Sequence, residues 1–481
     1  MFLKITSPDP TSVSFLCLGA VLLVFGLFSK SVKSKIYLDE PILATILGII
    51  LGRNCLNFLK IFNAQQVWWA EEEARGQLAW FCSLVIGVQV LFCGSNLPTR
   101  YLGRTDNFQA ISILMLPIML SGLAISSLII KLVFPQLSVL ESFILGGALT
   151  PTDPVLANSV VKGSFAERFV SVDIRNLLAA ESGLNDGFGT PFVFFPLCFI
   201  IHDSQTPESL KDFFLRILLW NVTFGSGFGF CLGKLGSALL ENSIKKHWIT
   251  NENAKVFSLA LAFFILGGAK MLKTNELLAC FFAGLGLTWT DSSNATEYHS
   301  IFSEGIEFLF DTAVFLVLGA LMPIDAWNDG KLLTPAKLAL SGVMILVFRR
   351  LPAIMCFYRW IPAVLDWKEA MFFGHFGPIG ASAVYYALAV REELPSSEPN
   401  KDVVMPLIFF VVLCSIIVHG ISTPIIMIIR SLPRSQGNLL NAPKSPRSDG
   451  NSHQHDPEFP KTQRTRKLRN FASRTLNYYT A

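Results

Sequence analysis

The 481-residue chain is 52% hydrophobic and 15% charged, with a mean hydropathy of +0.49, whereas a soluble domain carries about 25% charged residues. Apolar stretches long enough to cross a hydrocarbon core of about 30 Å recur as far as residue 430, which excludes a soluble globular domain and implies an all-α polytopic membrane protein. The formal net charge of +4 says little about partners, because much of it lies beyond that point, and no nucleic-acid partner is expected.

The N-terminus, MFLKITSPDPTS, lacks the basic segment and small-residue cleavage site of a signal peptide, so the first apolar stretch reads as a retained span. Candidate spans lie near 13–29, 38–52, 76–94, 108–130, 138–161, 174–201, 213–236, 254–271, 276–290, 305–322, 335–357, 369–390 and 403–429, about thirteen in all. The pair at 254–290 is divided only by Lys270 to Glu276. Most of the nine cysteines fall inside these spans without a CxxC pair, the pattern of buried free thiols. Lysine and arginine in the short loops bias orientation weakly, and RTRKLR from Arg464 to Arg469 favours a cytoplasmic C-terminus. With an odd number of spans the N-terminus is then outside.

Residues 1–430 therefore form the transmembrane domain, and 431–481 a basic tail rich in Ser, Pro, Asn and Gln that cannot bury enough apolar surface to fold alone. Its basic end either touches anionic lipid or stays solvated, the second being the commoner outcome. No nucleotide-binding loop, zinc spacing or catalytic triad stands out, so neither an enzyme nor an ATP-driven pump is expected, and no cofactor is required.

Two stretches carry chemistry. Thr150-Pro151-Thr152-Asp153-Pro154 lies inside the span 138–161. Each proline lacks an N–H and pushes its predecessor towards extended geometry, so the helix breaks there. Such a break survives at membrane depth only where protein or water receives the freed backbone groups. Asp153 before Pro154 is also an ordinary N-cap, a role compatible with ion binding. The second stretch, Glu181-Ser182-Gly183-Leu184-Asn185-Asp186, sits within the span 174–201. Residues four apart share a helix face, so Glu181 pairs with Asn185 and Ser182 with Asp186 on two adjacent edges. Acids within a membrane span are costly and are functional candidates by default, although Asn-Asp-Gly is also a turn signal. The expectation is that the two stretches face each other at mid-membrane and bind a small cation in competition with protons.

A further break, Gly374-His375-Phe376-Gly377-Pro378-Ile379-Gly380, falls in the span 369–390, seven spans after the first. Interrupted helices in corresponding positions of two halves point to a secondary transporter's site. His375 is either a satisfied polar group at that break or a pH-responsive one. Arg349 and Arg350 follow an apolar run in the eleventh span. Arg350 is assigned to an ion pair with Glu181, the acid not needed by the ion. Arg349 is expected to snorkel to the interface, unless both arginines simply end the span.

Together, TPTDPVLA and ESGLNDG some 28 residues apart resemble the monovalent cation/proton antiporters and, within them, the sodium/proton exchangers. The fungal plasma-membrane branch is suggested by GHFGPIG, by Gly94-Ser95-Asn96-Leu97-Pro98 and by Trp289-Thr290-Asp291. The resemblance covers about residues 10–430. It implies a homodimer of thirteen-helix protomers built from inverted repeats, each with a dimerisation part and a mobile core holding two crossed, discontinuous helices. Asp153 and Asp186 match the cation-site acids, and Ser182 and Thr152 their supporting ligands. Glu181, Asn185 and Arg350 match a structural polar cluster, while His375 and Asp291 are accessory candidates. Asn-Asp at the second motif implies electroneutral exchange. Many fungal relatives carry an acid where Asn96 stands.

The expected function is antiport of sodium or lithium, with potassium as a further cargo, against protons by alternating access across the plasma membrane; an endosomal or vacuolar membrane is the alternative site. Asp186 is the acid expected to hold cation or proton in turn, because a bare buried carboxylate is too costly to carry across. A cation channel or a membrane cation or pH sensor would use the same acids, but a channel needs rings of filter carbonyls or charges along a pore, and no filter-like repeat appears.

Overall fold

The computed structural model describes residues 10–35, 40–59, 61, 67–161, 170–289 and 293–431. Asp291 and the tail beyond Ser431 lie outside the described residues. The described residues fall in one unit, Met1–Ser431, and they are helical almost throughout. In chain order the helices are α1 (Pro10–Lys35), α2 (Glu40–Leu51), α3 (Glu72–Asn96), α4 (Thr105–Ile113), α5 (Met119–Val133), α6 (Val139–Ala148), α7 (Pro154–Val161), α8 (Val172–Phe188), α9 (Thr190–Ile201) and α10 (Thr206–Asp212). They continue as α11 (Gly225–Lys245), α12 (Asn251–Met271), α13 (Glu276–Leu287), α14 (Ser293–Ala320), α15 (Pro335–Phe348), α16 (Leu351–Phe357), α17 (Trp367–His375), α18 (Ala381–Glu393) and α19 (Val404–Ser431).

Several of these run on into one another. Thr105–Val133 is one span of 29 residues, and it widens into π geometry at Leu114–Ile118, around Pro117. A proline inside a helix removes a donor and crowds the preceding turn, and a locally widened helix accommodates it. Among the described residues, seven helical stretches are long and apolar enough to cross a membrane, with shorter apolar helices at Ser12–Phe28, Glu40–Leu51, Val139–Ala148 and Glu276–Leu287. The chain is thus an all-helical, multi-span membrane protein, and α12 and α13 are separate helices.

Without a hydrophobic force between helices in lipid, close packing holds such a bundle, and small residues allow it. Gly94 of α3 and Gly284 of α13 face each other, and a methyl on either would run into the partner's backbone. Gly229 and Gly233 of α11 likewise lie against the carbonyls of Ala279 and Ala283 on α13. These seams leave α13 buried along its length.

Among the described residues, three of the interruptions in the expected spans bear on the site. The run expected over 138–161 splits into α6 and α7 at Leu149–Asp153, and that over 369–390 splits into α17 and α18 at Phe376–Gly380. The third interruption was not expected: the span at 335–357 divides at Arg349–Arg350. Its cause is Pro352 in the first turn of α16, whose ring cannot follow the carbonyl four residues before it.

Candidate ion-binding site

The first two interruptions meet. The backbone N–H of Asp153 donates to the carbonyl of Pro378 at 2.8 Å, joining one break directly to the other. The Asp153 carboxylate then serves two helices at once. Its Oδ1 accepts from the N–H groups of Val155 (2.8 Å) and Leu156 (3.2 Å), capping α7, and its Oδ2 accepts from Ala381 N–H (2.7 Å), capping α18. Gly380 is required at this approach, because a Cβ there would collide with the carboxylate. A negative charge at two helix N-termini offsets both partial positive ends.

Arg349 does the complementary work at the C-terminal ends. It is 4% exposed. Its Nη1 donates to the carbonyls of Leu149 (2.5 Å), Thr150 (2.9 Å) and Pro151 (3.3 Å), and its Nη2 donates to the carbonyl of Gly377. The expectation that Arg349 snorkels to the interface is therefore corrected. Its guanidinium fork turns inward because the carbonyls freed by both breaks converge there, and no other cation among the described residues donates to them.

Arg350 points elsewhere. Its Nη1 and Nη2 donate to the two oxygens of Glu181, the second at 2.8 Å, and it also reaches the Phe373 carbonyl at 3.3 Å. The guanidinium lies 5.0 Å from the Phe373 ring centre. Asn185 does not join this pair, although it shares a helix edge with Glu181. Its Oδ1 accepts from Thr152 N–H (3.1 Å) and its Nδ2 donates to Thr152 Oγ1 (2.7 Å), which stands 3.2 Å from Ser182 Oγ. Thr152, Ser182 and Asn185 thus tie α8 to the first break.

Asp186 is different. It is 0% exposed, and neither carboxylate oxygen has a hydrogen-bond partner. Asp153 is close enough to repel it, and the Ser382 hydroxyl of α18 faces it closely enough to favour its charge, though without the geometry of a full hydrogen bond. The Asp186 backbone, by contrast, is firmly held. The Tyr386 hydroxyl reaches its carbonyl at 2.6 Å, and Asn275 Nδ2 donates to Gly187 O (2.9 Å) and Thr190 Oγ1 (2.6 Å). The backbone is thus held while the carboxylate is left without a full hydrogen bond.

A cavity of about 120 Å³ reaches Ser182. Its walls include Gln89, Asn96, Pro154, Asn176 and Glu307, so Asn96 lines the approach with a neutral amide. His375 stands apart, with Nε2 2.9 Å from Ser422 Oγ and its carbonyl 3.0 Å from His419 Nε2. No cluster of three or more His, Cys, Asp or Glu residues suited to a resident metal occurs among the described residues. Sequence reasoning missed Ser382, Tyr386 and the inward turn of Arg349. A hydroxyl two residues after the FGPIG break was the available signal for the first.

Residues 19–429 match the model of the sodium/hydrogen exchanger transmembrane family. The chain belongs to that family. It is 32% identical over 439 residues to Na(+)/H(+) antiporter 2 of Zygosaccharomyces rouxii, covering 87% of this chain and 53% of that one. To the Na(+)/H(+) antiporter of Saccharomyces cerevisiae it is 33% identical, covering 87% of this chain and 44% of the relative. The chain thus spans about half the length of these two fungal relatives. In fold it is similar to the sodium proton antiporter MjNhaP1 from Methanocaldococcus jannaschii, with a TM-score of 0.63 at 19% identity over 87% of this chain and 99% of that one. That likeness assigns the helical arrangement to the antiporter fold.

Proposed function

We propose that this membrane protein exchanges sodium or lithium for protons, one for one, across the plasma membrane, with Asp186 holding either ion in turn. The family membership and the fungal relatives named as antiporters support the exchange. The observation that carries the mechanism is the charge balance around the two breaks. Asp153 is held by three N–H groups at two helix N-termini, Arg349 serves the carbonyls at the opposite ends, and Glu181 is matched by Arg350. Asp186 is left over, buried and without a hydrogen bond.

A lone buried carboxylate is costly, and one monovalent cation or one proton removes that cost. Both cannot do so together, because a protonated carboxyl binds cations poorly and a sodium-bound carboxylate cannot keep its proton. The neighbouring Asp153 charge adds to the attraction for either occupant. Ser182 lines the cavity, and the Thr152 hydroxyl, held by Asn185, stands 3.2 Å from the Ser182 hydroxyl, so the two offer oxygens to replace water. Movement of the core with one occupant at a time gives alternating access with no net charge carried. Oxygen ligands of this kind suit the hard ions lithium and sodium, and potassium is the larger competing cargo.

The test is exchange in proteoliposomes carrying a pH dye and a potential dye. An imposed sodium gradient should acidify or alkalinise the lumen without generating a potential. Current without proton movement would establish a channel instead, and cation binding without turnover would establish a sensor.

A further inference from the structure

We infer that Ser382 is a ligand of the transported cation, so that the second helix interruption contributes an oxygen to the site. This rests on the reading of Asp186 as the shared acid. The argument begins with the hydroxyls around the two breaks. Thr152 and Ser182 are engaged with each other and with Asn185. Thr190 is taken by Gly187, Asn275 and Tyr386, and Ser415 accepts from Ile379 N–H at 2.7 Å. Ser382 is 1% exposed, and its Oγ has no hydrogen-bond partner.

It is also the hydroxyl placed next to Asp186, whose two oxygens are likewise without a partner. The Ser382 hydroxyl faces the Asp186 carboxylate closely enough to favour its charge but without the geometry of a full hydrogen bond, and a third body bound between them would complete both buried groups. Neither Asp153 oxygen is in this condition, because three backbone N–H groups occupy them.

A hydroxyl suits both occupants. Facing a cation it presents its lone pairs, and facing a protonated Asp186 it accepts the carboxyl hydrogen. Backbone geometry fixes where it stands: Ala381, the preceding residue, donates to Asp153 at 2.7 Å and pins the first turn of α18. The cation would therefore bridge α8, through Asp186, to α18, through Ser382. Loss of one close oxygen weakens binding of a small hard ion most, so the role extends to selection among alkali ions.

The experiment measures cation-dependent exchange by the purified full chain in proteoliposomes for lithium, sodium and potassium, comparing wild type with Ser382→Ala, Ser382→Cys and Asp186→Asn. Ser382→Ala should raise the half-saturating sodium concentration about tenfold, raise that for lithium at least as much and that for potassium less, and leave the maximal rate within about twofold. Ser382→Cys keeps most of the volume but replaces the hard oxygen, and should behave as Ser382→Ala does. Unchanged half-saturation in Ser382→Ala, or full recovery in Ser382→Cys, would assign Ser382 to packing and overturn the inference. Should Ser382→Ala fail to fold, the Ser382→Cys result alone decides. Asp186→Asn separates the two readings: exchange persisting in that variant would sink the shared-acid reading itself, whatever Ser382 shows.

Discussion

At Asp186 the protein keeps a buried carboxylate without a full hydrogen bond, 0% exposed, while the Tyr386 hydroxyl holds the carbonyl of the same residue. Asp186→Asn should abolish sodium-dependent proton movement yet leave the melting temperature in detergent equal to or above wild type, because an uncompensated charge is removed. A fall in melting temperature would mean that the carboxylate holds the fold. Asp153 gives the opposite expectation. Asp153→Asn leaves an amide NH₂ facing one of the N–H groups of Val155, Leu156 or Ala381, and should destabilise by about 1–3 kcal/mol, read as a lower melting temperature. Two aspartates drawn from neighbouring motifs are thus distinguished by what their oxygens touch.

Among the elements, the crossing of the two interruptions depends on Arg349 and Gly380. Arg349→Ala strands the carbonyls of Leu149, Thr150, Pro151 and Gly377, and should cost about 3–5 kcal/mol, with Arg349→Lys losing less because a point charge remains without the fork. Equal stability of Arg349→Ala and wild type would show that the carbonyls need no cation. Gly380→Ala should eliminate exchange, since its methyl meets the Asp153 carboxylate, while circular dichroism retains the helical signal. The breaks themselves were legible in the sequence, because prolines, glycines and acids within apolar runs have a direct backbone meaning. The partner of each arginine was half legible. Glu181 pointed to a cation, and Arg350 was assigned to it, but adjacent residues diverge by about 100° on a helix. Which of them turned inward to the freed carbonyls depended on the interruption at 349–350, and that followed from Pro352 rather than from the arginines.

Across the whole molecule, the Arg350–Glu181 pair and the glycine seams tie remote segments together. Removing one partner, as in Glu181→Gln or Arg350→Ala, should lower stability by about 3–5 kcal/mol, with the double variant Glu181→Leu/Arg350→Met less affected than either. A single variant with wild-type melting behaviour but no transport would instead place the pair in the exchange step. That the chain is helical and crosses the membrane several times was readable from hydropathy, because length and composition decide it. Of about thirteen expected spans, seven are long, apolar helical stretches among the described residues and four more are shorter apolar helices. The close approach of α3, α11 and α13 was not readable, since a glycine in an apolar run does not reveal which backbone it faces. The guanidinium lodged between the two breaks has one more consequence. A permanent positive group already sits where the backbone ends converge, so the architecture does not lean on its cargo for support. Dialysing away every alkali ion should leave the bundle assembled and ready to reload, which separates occupancy from integrity.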